Sequence, residues 1–134
     1  MQRIIESFER QTMMQTLGAK LTCVRAGHVE ITAPILPGNQ QQHGYAHAAL
    51  IFAIGDSAAG YAALSVMPDE FEVLTAEMKI NLLAPGRDGP LRALGTVDRS
   101  GRRLGGVLAD VFAGAVRVVV MHGAMVPDTA GALK

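Results

Sequence analysis

One acidic residue, Asp56, interrupts the most apolar part of the sequence, residues 41–66. From His47 onward this stretch has no other charged residue and no proline, and its many alanines favour a helix. A helix that is apolar on all faces is enclosed by the rest of the fold, where an unpaired carboxylate costs folding free energy or acquires a shifted pKa. Asp56 is therefore a candidate general base or nucleophile. The alternative is a carboxylate that is satisfied by helix N–H groups or by a partner arginine.

The N-terminus of the same helix offers a second chemical group. Its free backbone N–H groups and the positive end of the helix dipole could stabilise a developing oxyanion, and the candidates lie near His47, Ala48 and Ala49. Ala48 precedes Asp56 by eight residues, which is about 12 Å along a helix. Both groups would have to lie about 3 Å from one carbonyl group, which a single helix cannot provide. If both take part, Asp56 comes from a second, antiparallel helix, and the site lies across a two-fold dimer interface.

Other kinds of active site find less support. The four histidines have neither cysteine partners nor an HExxH motif, so we predict no metal site; they are His28, His43, His47 and His122. The glycines of residues 101–106 lack the spacing of a phosphate-binding loop, and no serine lies in a GxSxG elbow. The single cysteine, Cys23, excludes an internal disulfide and fits a reducing compartment, and we expect it to be a small buried hydrophobic residue.

The elements that would position these groups follow from the hydrophobic pattern. An amphipathic helix over residues 2–16 and a β-hairpin precede the central helix over residues 48–66, and further antiparallel strands follow it. The predicted strands are residues 20–24, 28–35, 71–83, 90–98, 102–112 and 116–126, and the tail, residues 127–134, is expected to fray. This order predicts an α+β fold in a single domain over residues 1–134, with one curved antiparallel sheet wrapped around one long central helix.

Composition narrows the classes of partner. The 12 lysines and arginines balance the 12 aspartates and glutamates, so the chain lacks the positive charge of a nucleic-acid-binding protein. The hydrophobic fraction of 49% against 18% charged residues indicates surface that is buried against another copy of the chain. The charged N-terminal segment is unlike a signal peptide, and Asp56 within the central helix argues against a membrane span. We expect a cytoplasmic homo-oligomer that binds neither nucleic acid nor membrane.

Three segments of the chain carry motifs of a known family. Gln41 precedes the run GYAHAA of residues 44–49, and Asp56 lies nine residues after His47. This first segment resembles the hot-dog-fold thioesterases, in particular the branch that includes the phenylacetate-degradation enzymes, which has an Asn or Gln, then G-x-x-H-G-G, then an Asp or Glu nine residues past the histidine. Residues 75–86, TAEMKINLLAPG, resemble the family's next strand, and residues 97–112 resemble its later hairpin. The resemblance covers roughly residues 15–125.

The resemblance implies an acyl-CoA thioesterase that works as a dimer or a dimer of dimers, with no cofactor apart from the coenzyme A of its substrate. Asp56 would act as general base on water or attack the thioester, the Ala48 N–H would bind the thioester oxygen, and Gln41 would hold or polarise that region. His47 would shape the loop and position the acyl carbonyl, and Thr75 would help to hold the water. Strand-end arginines would meet the nucleotide and phosphates of coenzyme A, or else lie in solvated turns; they are Arg87, Arg99, Arg102 and Arg103.

Two alternatives remain at this stage. Ala48 and Ala49 replace the family's two glycines, and their methyl groups could narrow the site. A non-catalytic hot-dog module that binds acyl-CoA or a related ligand is therefore the second interpretation. A hot-dog dehydratase is the third, and nothing beyond the shared fold favours it.

Overall fold

One antiparallel sheet and one long helix account for most of the computed structural model, which describes residues 1–98 and 106–129. The helices are α1 (Gln2–Arg10), α2 (Thr12–Thr16) and α3 (Ala48–Leu64). The strands are β1 (Lys20–Arg25), β2 (His28–Ala33), β3 (Phe71–Leu82), β4 (Leu91–Val97), β5 (Gly106–Ala113) and β6 (Val116–Thr129). The sheet order is β1-β2-β4-β5-β6-β3, and every neighbouring pair is antiparallel. This architecture confirms the predicted α+β fold of one antiparallel sheet against one long helix.

Helix α3 lies against the face of the sheet and forms the centre of the core. Its side chains Ile54, Ala58, Ala59 and Ala62 are fully buried. The helix contacts strands from both halves of the sheet, namely β2, β3, β4, β5 and β6. No helix of the described residues is long and apolar enough to cross a membrane. The apolar stretch therefore serves as the inner layer of a two-layer α/β packing.

The small residues of α3 allow an unusually close approach to β4. A Cβ atom added at Gly95 would overlap backbone atoms of Ala58 and Ala59, so the helix backbone lies directly over the strand backbone at this point. Larger side chains on the facing part of α3 would prevent that contact. Gly95 and the alanine-rich face of α3 therefore set the distance between helix and sheet.

The C-terminal end of α3 is held by the N-terminal segment. The guanidinium group of Arg3 donates to the carbonyl oxygens of Leu64 and Met67 at 2.6 Å each, and to those of Pro68 and Phe71 at 3.0 and 3.4 Å. The last carbonyls of a helix have no acceptor role within the helix, and a cation there also interacts favourably with the helix dipole. Arg3 thus caps the helix that carries Asp56.

Three boundaries differ from the sequence-based expectation. The helix predicted over residues 2–16 is divided into α1 and α2 at Gln11, whose backbone is extended and whose side chain donates to the Tyr61 hydroxyl at 2.7 Å. The central helix ends at Leu64, because the Ser65 hydroxyl bonds to the Ala62 carbonyl and accepts from the Gly27 N–H of the β1–β2 turn. The expected fraying from residue 127 is wrong for residues 127–129, which continue β6 and pair with the start of β3.

Strand β1 also departs from simple alternation. Leu21 pairs with Ile31, but Cys23 pairs with Glu30, so Thr22 is an extra residue in a β-bulge. Ile31 is fully buried beneath α3, whereas Glu30 lies on the opposite face of β2. The bulge therefore turns Cys23 to the outer face of the sheet, where it is half-buried. The expectation that Cys23 is a buried core residue is wrong for this reason.

We predict that Gly95→Ala lowers the free energy of unfolding by about 3 kcal/mol, the upper end of the usual cost of overpacking. The added methyl group meets backbone atoms of α3, which cannot move aside as a side chain can. Urea unfolding at one protein concentration would measure the change. Gly38→Ala is the matched control, because its new Cβ would meet nothing within 4 Å, and we expect a change within about 0.5 kcal/mol. Equal stability of the two variants would contradict the close helix–strand packing.

Candidate functional site

The N-terminus of α3 presents one free backbone donor. His47 is the N-cap residue, and its Nδ1 accepts the N–H of Ala49 at 2.9 Å. The His47 carbonyl accepts the N–H groups of Leu50 and Ile51 at 3.0 and 3.3 Å. The Ala48 N–H has no acceptor among the described residues. Of the first four N–H groups of the helix, that of Ala48 alone remains for a ligand, at the positive end of the helix dipole.

The His47 ring has a clear structural use in this arrangement. Because Nδ1 accepts a hydrogen bond, the proton of the neutral ring lies on Nε2. The side chain also lines a cleft of about 330 Å³ together with Ala49, Leu50 and Ala53. The hydrogen bond from the Ala49 N–H to His47 Nδ1 fixes the His47 side chain at the start of α3, which agrees with the predicted role of His47 in shaping the loop.

The loop before α3 is closed by Gln41. Its Oε1 accepts the N–H groups of His43 and Tyr45, and its own N–H donates to the Tyr45 carbonyl at 2.9 Å. Gly44 has a φ of +82°, a conformation that favours glycine, and so permits the tight return of the chain. Gln41, Tyr45 and Ala48 line one side of a cleft of about 470 Å³. The side-chain amide oxygen of Gln41 thus orders the loop that forms this side of the cleft.

The residues opposite this loop come from the end of β3 and the segment after it; they are Leu82, Leu83, Ala84, Pro85 and Gly86. The Ala46 N–H donates to the Gly86 carbonyl at 2.9 Å and ties the two sides together. The guanidinium carbon of Arg87 lies 5.1 Å from the centre of the Tyr45 ring, a cation–π contact. Arg87 is therefore next to the wall of this cleft. Arg99, Arg102 and Arg103 lie outside the described residues.

Asp56 lies in a different cleft, where α3 faces β3. Its side chain is half-buried, and the Thr75 hydroxyl donates to its Oδ1 at 2.8 Å. Burial raises the pKa of the Asp56 carboxyl above its usual range, and the hydrogen bond from Thr75 partly offsets this by stabilising the ionised form. No salt bridge to Asp56 exists among the residues that the structure describes. Neither helix N–H groups nor an arginine therefore satisfies this carboxylate within the described part of the chain.

The Asp56 cleft has a volume of about 270 Å³ and a mixed lining. Its polar lining residues include Ser7, Gln11, Ser57 and Glu72, and its apolar lining residues include Leu64, Val73 and Met125. The Tyr61 hydroxyl accepts from the Gln11 side chain at 2.7 Å and lies 3.0 Å from the Ser7 hydroxyl. The N-terminal segment thus contributes a wall of this cleft, which the sequence analysis did not anticipate. The available signal was a pair of polar residues, 7 and 11, at the four-residue spacing that puts them on one side of a helix.

The predicted site residues therefore form two groups within one protomer. Asp56 and Thr75 are hydrogen-bonded in one cleft, while Gln41 and Ala48 share another cleft. The two clefts have no lining residue in common. The eight-residue separation of Ala48 and Asp56 on a continuous helix spans about 12 Å. A single protomer consequently does not bring the acid and the free N–H to one reacting group.

Comparison with known proteins identifies the family. The family model for the thioesterase superfamily matches residues 43–120, more than half of the chain. A solved thioesterase family protein from Silicibacter pomeroyi is 34% identical with a TM-score of 0.88, and the alignment covers 96% of this chain and 97% of that protein. No curated protein sequence matches the chain.

Two more distant structures share the fold. The PaaI protein of the E. coli phenylacetic acid degradation operon has a TM-score of 0.81 at 21% identity, with 92% of this chain and 89% of that one covered. A thioesterase from Haemophilus influenzae has a TM-score of 0.82 at 17% identity, with 93% and 88% covered. The sequence-based resemblance to hot-dog-fold thioesterases is confirmed: this chain belongs to the thioesterase superfamily and is a thioester hydrolase with the hot-dog fold.

Proposed function

We propose that this protein is an acyl-CoA thioesterase whose active site combines Asp56 of one protomer with the α3 N-terminus of another. The observation that carries the proposal is the half-buried Asp56 carboxylate, which faces a cleft beside the Thr75 hydroxyl and has no cation partner among the described residues. A structural carboxylate at such a site would be expected to have a charge partner. A catalytic one requires a raised pKa and room for a reactant.

The chemistry needs only groups that the chain supplies. As general base, Asp56 takes a proton from water while the water oxygen attacks the thioester carbonyl carbon. The carbonyl oxygen becomes an oxyanion and accepts a hydrogen bond from the Ala48 N–H. Collapse of this intermediate breaks the C–S bond, and the proton held by Asp56 passes to the departing sulfur. In direct attack, an Asp56 carboxylate oxygen would bond to the carbonyl carbon, the C–S bond would break to release the thiolate, and a mixed anhydride would form. Water would then hydrolyse the anhydride, which regenerates the carboxylate and supplies a proton for the thiolate, and this route also requires the ionised carboxylate.

Thr75 would position Asp56 in either route. Its hydroxyl donates to Oδ1 and leaves Oδ2 for the water or the carbonyl carbon. The same hydrogen bond opposes the pKa increase caused by burial, so the carboxylate remains ionised at a lower pH than burial alone would allow. Gln41 and His47 would support the other half of the site by fixing the loop and the first turn of α3.

An association through β3 would bring the two halves together. β3 is an edge strand of 12 residues, and among the described strands it pairs with β6 on one side only. Such an edge is a template for pairing with a second chain. Leu74 and Leu82 on this strand are 40% and 59% exposed, and the following Leu83 is 54% exposed. A partner bound there would also lie next to Thr75. Antiparallel pairing of the two β3 edges about a two-fold axis perpendicular to the sheet would make the two α3 helices antiparallel.

Coenzyme A would be recognised at the cleft that contains Ala48. Arg87 provides a cation beside Tyr45 for a phosphate group. The role proposed for Arg99, Arg102 and Arg103 in the same recognition depends on the sequence resemblance. The side chains of Ala48 and Ala49 are both exposed in the protomer, so their methyl groups leave the first turn of the helix accessible. Alanine at these positions also keeps the backbone N–H that the proposed oxyanion site requires.

We predict that Asp56→Asn and Ala48→Pro each lower kcat for acyl-CoA hydrolysis by at least about 100-fold. Proline at Ala48 deletes the N–H alone, because this first helical position tolerates proline and the preceding His47 already has an extended backbone. Mixed dimers purified through two different tags should regain about half of the wild-type activity, because one of their two sites is intact. Mixed dimers as inactive as both parents would contradict a shared site, and an active Asp56→Asn homodimer would contradict the role of Asp56. Ala48→Gly, which keeps the N–H, is the control.

We predict that Thr75→Val moves the acid limb of the kcat/KM profile to higher pH. Loss of the hydrogen bond removes the contribution that lowers the pKa of Asp56, so the carboxyl becomes protonated at a higher pH. Hydrolysis measured at a series of pH values would show the shift. Thr75→Ser retains the hydroxyl donor and should keep the wild-type limb. If the wild type, Thr75→Val and Thr75→Ser all have the same acid limb, the group that titrates in this limb is not Asp56.

We predict that Asp56→Asn is more stable than the wild type at pH 7, and that the difference narrows as the pH falls through the folded-state pKa of Asp56 and is nearly absent at about pH 3, below the unfolded-state value. The pKa of Asp56 is raised in the folded state, so its stabilising contribution is present below the unfolded-state pKa and is lost as the pH rises through the folded-state value. Urea unfolding at the two pH values and one protein concentration would test this. The exposed Asp88, changed to Asn, is the control, for which we expect no comparable gain. A less stable Asp56→Asn variant at pH 7 would identify Asp56 as a structural ion instead.

A further inference from the structure

The outer face of the β1–β2 hairpin gathers three side chains that are common metal ligands. One ligand atom from each of Cys23, His28 and Glu30 lies within 4.8 Å of the other two. His28 Nε2 and Glu30 Oε2 are 2.9 Å apart. The side chains of His28 and Glu30 are 17% and 24% exposed, so the cluster is shielded but reachable from solvent. The cluster lies on the face of β2 opposite to Val29 and Ile31, which pack beneath α3.

The bulge in β1 creates this arrangement. With simple alternation, Cys23 would share the inward face with Leu21, but the extra residue Thr22 turns Cys23 outward and directly opposite Glu30. The Thr22 hydroxyl donates to the Glu30 carbonyl oxygen at 3.3 Å, which fixes the bulge to the neighbouring strand. Bulges are frequent where a strand must re-aim a side chain. The sequence analysis predicted no metal site because the histidines have no cysteine at a ligand spacing, and the bulge supplies one across the hairpin.

We propose that Cys23, His28 and Glu30 bind one borderline-soft divalent cation, for which Zn²⁺ is the representative ion. A thiolate, an imidazole and a carboxylate are the three kinds of side-chain ligand that Zn²⁺ takes, and water would fill the fourth position. The thiolate and the carboxylate together balance the two positive charges of the ion. On binding, the Cys23 thiol releases its proton to solvent, and the proton on His28 Nε2 moves to Nδ1 or to solvent so that Nε2 is free to bind. The bonds from His28 and Glu30 to the metal replace their mutual hydrogen bond.

The distances are compatible with such a site. Bonds of about 2.0–2.3 Å in a tetrahedron separate the ligand atoms by roughly 3.5 Å. The His28–Glu30 pair would open slightly from its 2.9 Å separation, and the cluster as a whole already lies within 4.8 Å. Side-chain rotations on two paired strands are therefore sufficient. Arg92 is the cation that acts on Glu30 from β4, and its charge would compete with the metal rather than hold it.

The position of the cluster indicates a structural role. β1 is the edge strand at the end of the sheet remote from β3, and β2 is its single neighbour among the strands that the structure describes. A metal ion shared by Cys23 on β1 and by His28 and Glu30 on β2 would fasten this edge strand to the sheet. The ligands lie on the face away from α3, so the site is separate from the Asp56 cleft. The proposal is therefore independent of the proposed catalytic mechanism.

The test uses the full chain without an affinity tag, treated with a chelator and then titrated with Zn²⁺ by calorimetry or against a chromophoric chelator. We expect one Zn²⁺ per chain and a higher Tm in its presence. Cys23→Ser and His28→Gln should each weaken binding by more than about tenfold, since even groups that only support a ligand contribute that much. Co²⁺ should give a thiolate charge-transfer absorption that is absent in Cys23→Ser. His122→Gln, an exposed histidine on β6, is the matched control and should bind as the wild type does.

Two results would overturn the proposal. The first is the absence of saturable binding at one ion per chain in the wild type. The second is an unchanged Zn²⁺ affinity in Cys23→Ser and Glu30→Gln, with circular dichroism confirming that both variants are folded. Both substitutions nearly preserve side-chain shape, so the fold is expected to survive them. Acyl-CoA hydrolysis by the metal-free and the Zn²⁺-loaded protein should be the same at a temperature well below either Tm.

Discussion

The close packing of α3 on the sheet determines where polar chemistry can occur in this protein. At Gly95 the strand and helix backbones meet without an intervening side chain, and the buried alanines of α3 maintain that contact. A helix held this tightly cannot turn or slide to bring another face forward. Asp56 therefore faces β3, and the N-terminus of α3 faces the loop closed by Gln41. The two chemical groups of the helix are fixed in separate clefts by the same packing.

The placement of Asp56 has an energetic consequence. The carboxylate is half-buried, its pKa is raised by burial, and one hydroxyl group provides its described hydrogen bond. A more stable protein would have an apolar or amide side chain at this position. Burial opposes the ionised form of Asp56, and the hydrogen bond from Thr75 favours it. The packing that encloses α3 therefore also influences the protonation of the acid that the helix carries.

Much of the fold followed from the sequence because its signals are local. The apolar run after His47, with Asp56 as its single charged residue, predicts α3, and Pro68 limits the end of the helix. Period-two patterns locate the strands. The boundaries that differed depend on contacts between distant residues. Gln11 breaks the first helix by reaching Tyr61, and residues 127–129 extend β6 because β3 offers them a partner. Pro127 is tolerated there because, among the described residues, β6 has β3 as its single neighbour at that point.

Features of the candidate site that depend on local spacing could be predicted from the sequence, whereas those that depend on contacts between distant residues could not. The spacing of His47, Ala48 and Asp56 on one helix could be counted in the sequence. It gave the distance along the helix between the Asp56 carboxylate and the Ala48 N–H. The hydrogen bond from Thr75 joins residues 19 positions apart, and the resemblance to a known family, not the pattern, indicated that position. The cluster around Cys23 depends on a single inserted residue, Thr22, which reverses the face to which the residues after it in β1 point. No periodicity predicts such an insertion.

The cap formed by Arg3 has a consequence for how this enzyme can diversify. The segment that begins with Arg3 seals the end of α3 and, through Ser7 and Gln11, forms a wall of the Asp56 cleft. It belongs to no strand and contributes nothing to the sheet ladder. Changes at Ser7 or Gln11 would therefore alter the lining of this cleft without changing any strand or its pairing, so the chamber around Asp56 can vary while the sheet remains the same.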